Sequence, residues 1–391
     1  MRKSVLSSLA QGAASLAFGH LLALVCLVSG LAVTSAGQAQ EAVLPAASSP
    51  APGVAASAPA SPARKWMRVP RVYGRLGVKD LGLVINLDDP YSVQVGGHYA
   101  KARQIPEDQI LRVRLPVKGA LTRGEFEALQ AQIEAFYGDR VQALALAWRL
   151  PYAVACNGLA GALAMGFDEG LCGHSCAVSR RSSYFGSAAT RPLAEHRMRL
   201  SMQLAARDVE GAKALIDRGV ASDGTLGLRG GLPAQVHFVT TSDAVRSVRQ
   251  QLFPPEGKVA QAGLDIHLDQ ADALRGVDRV LIYMTGRAQV EGLSSVGFLP
   301  GALADHLTSF GGRLDDPYGQ MSVLAWIEAG ATASHGTASE PCAHLQKFPH
   351  PQALLLFYAQ GATAIEAYWK SVAWPQQAVF VGEPLAAPFG R

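Results

Sequence analysis

Charge is scarce in this sequence and nowhere concentrated. Asp, Glu, Lys and Arg make up 17% of the 391 residues, below the roughly 25% usual in soluble domains, and no block of five or six like charges occurs. The formal net charge of +4 is spread over interleaved acids and bases, so there is no basic arm for nucleic acid and charge names no partner. Compact catalytic signatures are missing as well: no Gly-x-Ser-x-Gly elbow, no His-Glu-x-x-His helix and no phosphate loop is present. Neither a cofactor nor a metal is expected. The apolar run at residues 21–33 (LLALVCLVSGLAV) falls short of the roughly 20 residues that span a bilayer.

Hydrophobic residues, by contrast, reach 49%, enough to bury a large core and to exclude disorder throughout. Arg2 and Lys3 precede the apolar run, and Gly37, Gln38 and Ala39 follow it with small residues at the −3 and −1 positions of a cleavage site. Residues 1–39 therefore read as a signal peptide and the protein as exported, periplasmic or extracellular; an uncleaved anchor is the alternative. Residues 40–65 collapse to Ala, Pro and Ser and read as a disordered tether. The pattern from 66 to 391 is globular without a second break, which predicts one α/β domain.

Removal of the signal discards Cys26 and leaves Cys156, Cys172, Cys176 and Cys342, an even number in an oxidising compartment. Two disulfides are predicted, with three pairings open. The run Cys172-Gly-His174-Ser-Cys176 could instead contribute to a metal site, but a structural zinc would need a fourth ligand.

Residues 81–87 (LGLVINL), 109–115, 141–148, 234–240, 264–268, 279–285, 331–335 and 378–381 read as strands. Thr122 and Glu125 have capping-box spacing ahead of Phe126, Leu129, Ile133 and Phe136, which recur at helical period. Strands and helices in alternation predict a doubly wound, mostly parallel sheet of about six strands. Residues 151–232, with three of the four cysteines and a helical stretch near 193–218, read as a long insertion.

Ligands of open parallel sheets bind beyond the carboxyl ends of the strands. Asp88, Arg287, His335 and Glu340 occupy such positions and, together with the Thr308-Ser309 loop, form the predicted cleft, unless they merely terminate strands and solvate loops. Ser309 with His335 or His306 as base would permit nucleophilic chemistry. Gly311, Gly312 and Gly330 allow close backbone approach or positive φ. Arg287 and the Ser309 hydroxyl are predicted within about 10 Å of each other at one sheet edge, with Asp88 or Glu340 offsetting the arginine's charge.

The blocks HYAKARQIP (98–106), FLPGALADHLTSFGG (298–312), EAGATASHGTASEPCAHLQKFPHP (328–351), GATAIEAYWKSV (361–372) and VFVGEPLAAPF (379–389) resemble a family of exported bacterial proteins of unknown function. More distantly, LIYMTGRAQ, TSFGGRL, AGATASHG and VGEPL follow the order of blocks in gingipain-like cysteine peptidases, whose fold is that of the caspases. That resemblance implies a caspase-like domain with its dyad missing, because Arg287 stands in the place of the catalytic His and Ser309 in that of the Cys. Arg keeps its proton at a pKa above about 12 and cannot shuttle it, so cysteine peptidase activity is not expected. The resulting expectation is a non-catalytic binding domain for a peptide, a glycan or an envelope protein, without nucleic acid and without a membrane once the signal is cleaved. A hydrolase with relocated residues and a structural envelope protein are the alternatives.

Overall fold

The computed structural model describes residues 64–315 and 319–390. The signal segment and nearly all of the tether lie outside the described residues. Among the described residues no helix is long and apolar enough to cross a membrane.

Strand β1 (Leu81–Asn86) is buried at every position, as a continuous apolar run requires when helices cover both faces. Asp89 then caps α1 (Pro90–Arg103), its carboxylate accepting from the Tyr91 amide at 3.0 Å with Pro90 in the first turn. After β2 (Ile110–Val113) and β3 (Ala120–Leu121), Thr122 and Glu125 form the predicted capping box of α2 (Arg123–Tyr137). Strand β4 (Ala143–Leu146) follows, and β5 (Ala153–Val154) and β6 (Asn157–Gly158) join β3 in a small separate sheet. Short helices α3 (Leu159–Met165), α4 (Gly170–Gly173) and α5 (Pro192–His196) lead to β7 (Leu200–Gln203) and α6 (Val209–Ala221).

The second half holds β8 (Ala234–Thr240), β9 (Gly257–Val259), β10 (Leu264–Gln270), β11 (Val277–Thr285) and β12 (Val296–His306). Helix α7 (Leu324–Glu328), β13 (Ala333–Thr337), α8 (Pro351–Ala359), α9 (Ala364–Ser371) and β14 (Ala378–Gly382) complete it.

One sheet of eleven strands results, in the order β2-β1-β4-β7-β14-β13-β12-β11-β8-β10-β9. The α/β, mostly parallel architecture is as predicted; a count of about six strands is not. Strands β2, β1, β4, β7 and β14 are mutually parallel, and so are β13, β12, β11, β8 and β10. Strands β13 and β14 pair antiparallel, so the two parallel blocks run in opposite directions. The carboxyl edge of one block is therefore the amino edge of the other.

Helices cover both faces. Val84, Leu144 and Leu146 pack in one cluster with Phe126, Leu129 and Ile133 of α2, whereas Leu83, Ile85 and Ala145 share another with Val95 and Tyr99 of α1 and Leu215 of α6. The alternation of side chains along β1 and β4 separates the two sets.

Part of the stretch read as an insertion belongs to the main sheet. Strand β7 pairs with β4 and β14, and the region read as one helix near 193–218 is α5, β7 and α6. Its cysteines pair as Cys156–Cys172 and Cys176–Cys342, with Cα atoms 5.1 and 5.2 Å apart. The second bridge ties the loop after α4 to the loop after β13. Helix α9 grips the same excursion from the other side: Lys370, fully buried, donates to the carbonyls of Ser187 and Ala189, and its ammonium lies 4.0 Å from the Tyr184 ring centroid. Burial pulls its pKa down to about 8.

Candidate functional site

Strand β12 ends on two consecutive residues of interest, Asp305 and His306, and the pleat sends alternate side chains to opposite faces. His306 points under α7. Its Nδ1 accepts from the Trp326 indole N–H at 2.9 Å and its Nε2 lies 2.9 Å from the Met321 carbonyl. Because the indole only donates, the imidazole is neutral with its proton on Nε2. Burial pushes its pKa down to about 4.

Asp305 faces the other way into an ionic cluster. It forms an ion pair with Arg249, and His335 Nδ1 approaches its second oxygen to 3.3 Å; all three side chains are at most 2% exposed. Arg249 also donates to the Thr285 carbonyl at 2.7 Å. Burial would raise the Asp305 pKa, but the Arg249 charge and the His335 imidazole outweigh it and hold the carboxyl below its ordinary range. The His335 ring sits between Phe348 and Phe380, with centroids 6.0 and 5.3 Å away, and its Nε2 has no hydrogen bond among the described residues.

Just beyond the carboxyl ends of β8, β12 and β13 opens a cleft of about 200 Å³, lined by Val245, Arg246, Thr308, Ser309, Glu340 and Phe348 among others. Thr308 Oγ1 donates to Gln320 Oε1 at 2.6 Å and accepts from Arg246 Nε at 3.4 Å. Arg246 is held at 2.8 Å by Asp243. Thr337 donates to the Ser309 carbonyl at 2.8 Å. Gly312 makes the close approach that the sequence suggested: a Cβ there would come within 2.8 Å of the Thr337 carbonyl carbon. Gly330 instead takes the positive-φ option, at 111°. The Cys176–Cys342 bridge forms part of the wall, backed by Lys347, which donates to the Ser175 carbonyl at 2.7 Å and whose pKa burial pulls down to about 8.

The structure brings Thr308, Ser309 and Glu340 together and separates the rest of the predicted cleft. Asp88 follows β1 in the oppositely directed block, at the other sheet edge, where it pairs with Arg114. His335 is sealed in the middle of β13 rather than at its end, because the strand runs on to Thr337. Arg287 shares the Ser309 edge, since β11 and β12 are parallel neighbours with Thr285 opposite His306. It reaches the other way, however, across β8 to Asp272 after β10, at 2.6 Å. Its carboxylate is therefore neither Asp88 nor Glu340. The Ser242 amide, with help from Arg287, holds the Asp272 pKa down at about 2. Among the described residues no histidine nitrogen is hydrogen-bonded to the Ser309 hydroxyl.

Sequence reasoning missed Arg246 and Arg249. They lie on a 3-10 segment, Arg246–Leu252, whose three-residue turn stacks residues three apart. Arg246 thus lines the cleft and Arg249 the cluster beneath it. The only sequence signal was their spacing after a strand end.

No protein-family model, no curated protein and no solved structure matches the chain.

Proposed function

We propose that the chain is an exported, non-catalytic binding domain that holds a segment of peptide in the cleft beyond β8, β12 and β13. The observation that carries this reading is that neither candidate histidine is free to act as a base for Ser309. Both His306 nitrogens are occupied, and His335 is turned onto Asp305. The cleft nonetheless offers an apolar floor at Phe348, hydroxyls at Thr308 and Ser309 and one charge of each sign at Arg246 and Glu340. A few fixed polar groups around an apolar floor suit a short extended segment with one apolar side chain.

A caspase-like relationship is part of the proposal. It is supported by the positions of Arg287 and Ser309 after adjacent parallel strands ending at one edge, the juxtaposition that the gingipain-like resemblance requires. Export is supported by the two disulfides, which persist in oxidising compartments, and mass spectrometry of the exported protein should find a new N-terminus between Ala36 and Glu41.

Two covalent probes and a peptide library test the reading. A fluorophosphonate probe and a peptidyl chloromethyl ketone should leave the protein unlabelled, and a peptide library should yield ligands whose binding is lost in Arg246→Gln and Thr308→Val. Labelling of Ser309 would establish the hydrolase alternative.

A further inference from the structure

A second concavity, sharing no residue with the cleft, lies between α2, α3 and the start of β7. It is an open basin of about 430 Å³ whose lining includes Arg180, Arg181, Arg197 and Arg199 and one carboxylate, Glu134. None of the four arginines forms an ion pair among the described residues. Glu134 and Asp139 act on Arg199, but four clustered positive charges outnumber these carboxylates, and such an excess attracts an anionic ligand.

The positions of the four are defined. Arg199 is 8% exposed and spends Nε and Nη2 on the carbonyls of Val141 and Gly138, while its Nη1 has no hydrogen bond among the described residues. Arg197 adopts φ 57° at the end of α5, a left-handed position that favours Gly or Asn. Arg180 donates to the Met165 carbonyl, and the Arg181 guanidinium lies over Phe185, 5.2 Å from the ring centroid. Planar guanidinium forks bind tetrahedral oxyanions through paired hydrogen bonds. No Phe, Tyr or Trp lines the basin; its one ring is the His196 imidazole, engaged by the Ser187 hydroxyl at 2.9 Å. Its volume accommodates a small ligand.

We infer that this basin is a binding site for a small molecule or headgroup bearing two or more neighbouring phosphate groups, held by Arg180, Arg181, Arg197 and Arg199. The site is independent of the proposed cleft.

Calorimetry of the exported protein with sodium tripolyphosphate tests the inference. One saturable site is expected, weakening as salt is raised. Arg181→Gln/Arg197→Gln should bind about tenfold or more weakly, and the matching Lys pair should recover part of the loss. Both side chains are exposed, so the thermal midpoint should not move; Arg180→Gln, made separately, should weaken binding if the double variant proves unstable. Co-sedimentation with phosphatidylglycerol vesicles, reversed by tripolyphosphate, would assign the phosphates to a lipid headgroup; tripolyphosphate binding without sedimentation would assign them to a soluble ligand. No saturable binding to either, or binding unchanged in all these variants, overturns the inference.

Discussion

Arg249 and Asp305 form an ion pair in which neither side chain is more than 2% exposed, directly beneath the cleft whose floor is Phe348. Breaking a buried pair leaves an uncompensated charge, so Arg249→Met is expected to cost about 3–5 kcal/mol in urea unfolding. Arg249→Met/Asp305→Leu should recover much of that loss, because removing both charges removes the desolvation penalty. A double variant no more stable than the single one would show that packing, not charge, dominates there.

His306 gives a pH dependence of definite sign. Its pKa falls from 6.5 unfolded to about 4 folded because burial disfavours the imidazolium. The folded state thus binds fewer protons between those values, and stability is present in full above pH 6.5 and is lost as pH falls towards 4. The full loss is roughly 3 kcal/mol. Urea midpoints at pH 7.5 and pH 4.5 should show it, and His306→Gln should flatten the difference.

The two disulfides close loops of very different length. Chain entropy assigns about 5 kcal/mol to Cys176–Cys342, at a separation of 166 residues, and about 3 kcal/mol to Cys156–Cys172, at 16. Cys176→Ser/Cys342→Ser should therefore be the less stable pair variant. It should also weaken cleft ligands, since this bridge is part of the wall; equal ligand affinity in both pair variants would contradict that role.

Gly336 lets the 309–312 loop lie on β13. A Cβ there would meet the backbone of Gly311 and Gly312, coming within 2.8 Å of Gly312 Cα. Gly336→Ala is expected to destabilise by about 1–3 kcal/mol and to move Ser309, detectable as reduced binding of any peptide that Thr308→Val also loses.

Strand stretches were legible wherever burial on both faces made the run uniformly apolar, as in β1, β8 and the end of β11. Strand β7 escaped because four residues between two helices carry no period of their own. Strand β12 escaped because Gly297, Pro300 and Gly301 interrupt it; its pairing with β11 shifts register in the same region, where a Pro is tolerated. The candidate site was legible only in part. Glu340 was found by its place after a strand, and Thr308 and Ser309 by their glycine-rich block and nucleophile-type side chains, whereas Arg246 and Arg249 follow β8 and carry no motif.

By itself the sequence determined the α/β class, the capping of α2, the engagement of all four cysteines of the globular region and the lack of a standard catalytic motif. These rest on local spacing and composition, which the chain carries wherever it goes. Tertiary structure alone decided which cysteines pair and which strand ends share an edge. The antiparallel meeting of β13 and β14 reverses one block against the other, placing Asp88 and Ser309 on opposite edges, and no local pattern encodes the relative direction of strands far apart in sequence. Likewise only packing could show that His306 and His335 are buried in the core, because a histidine's partners are set by what the fold lays over it.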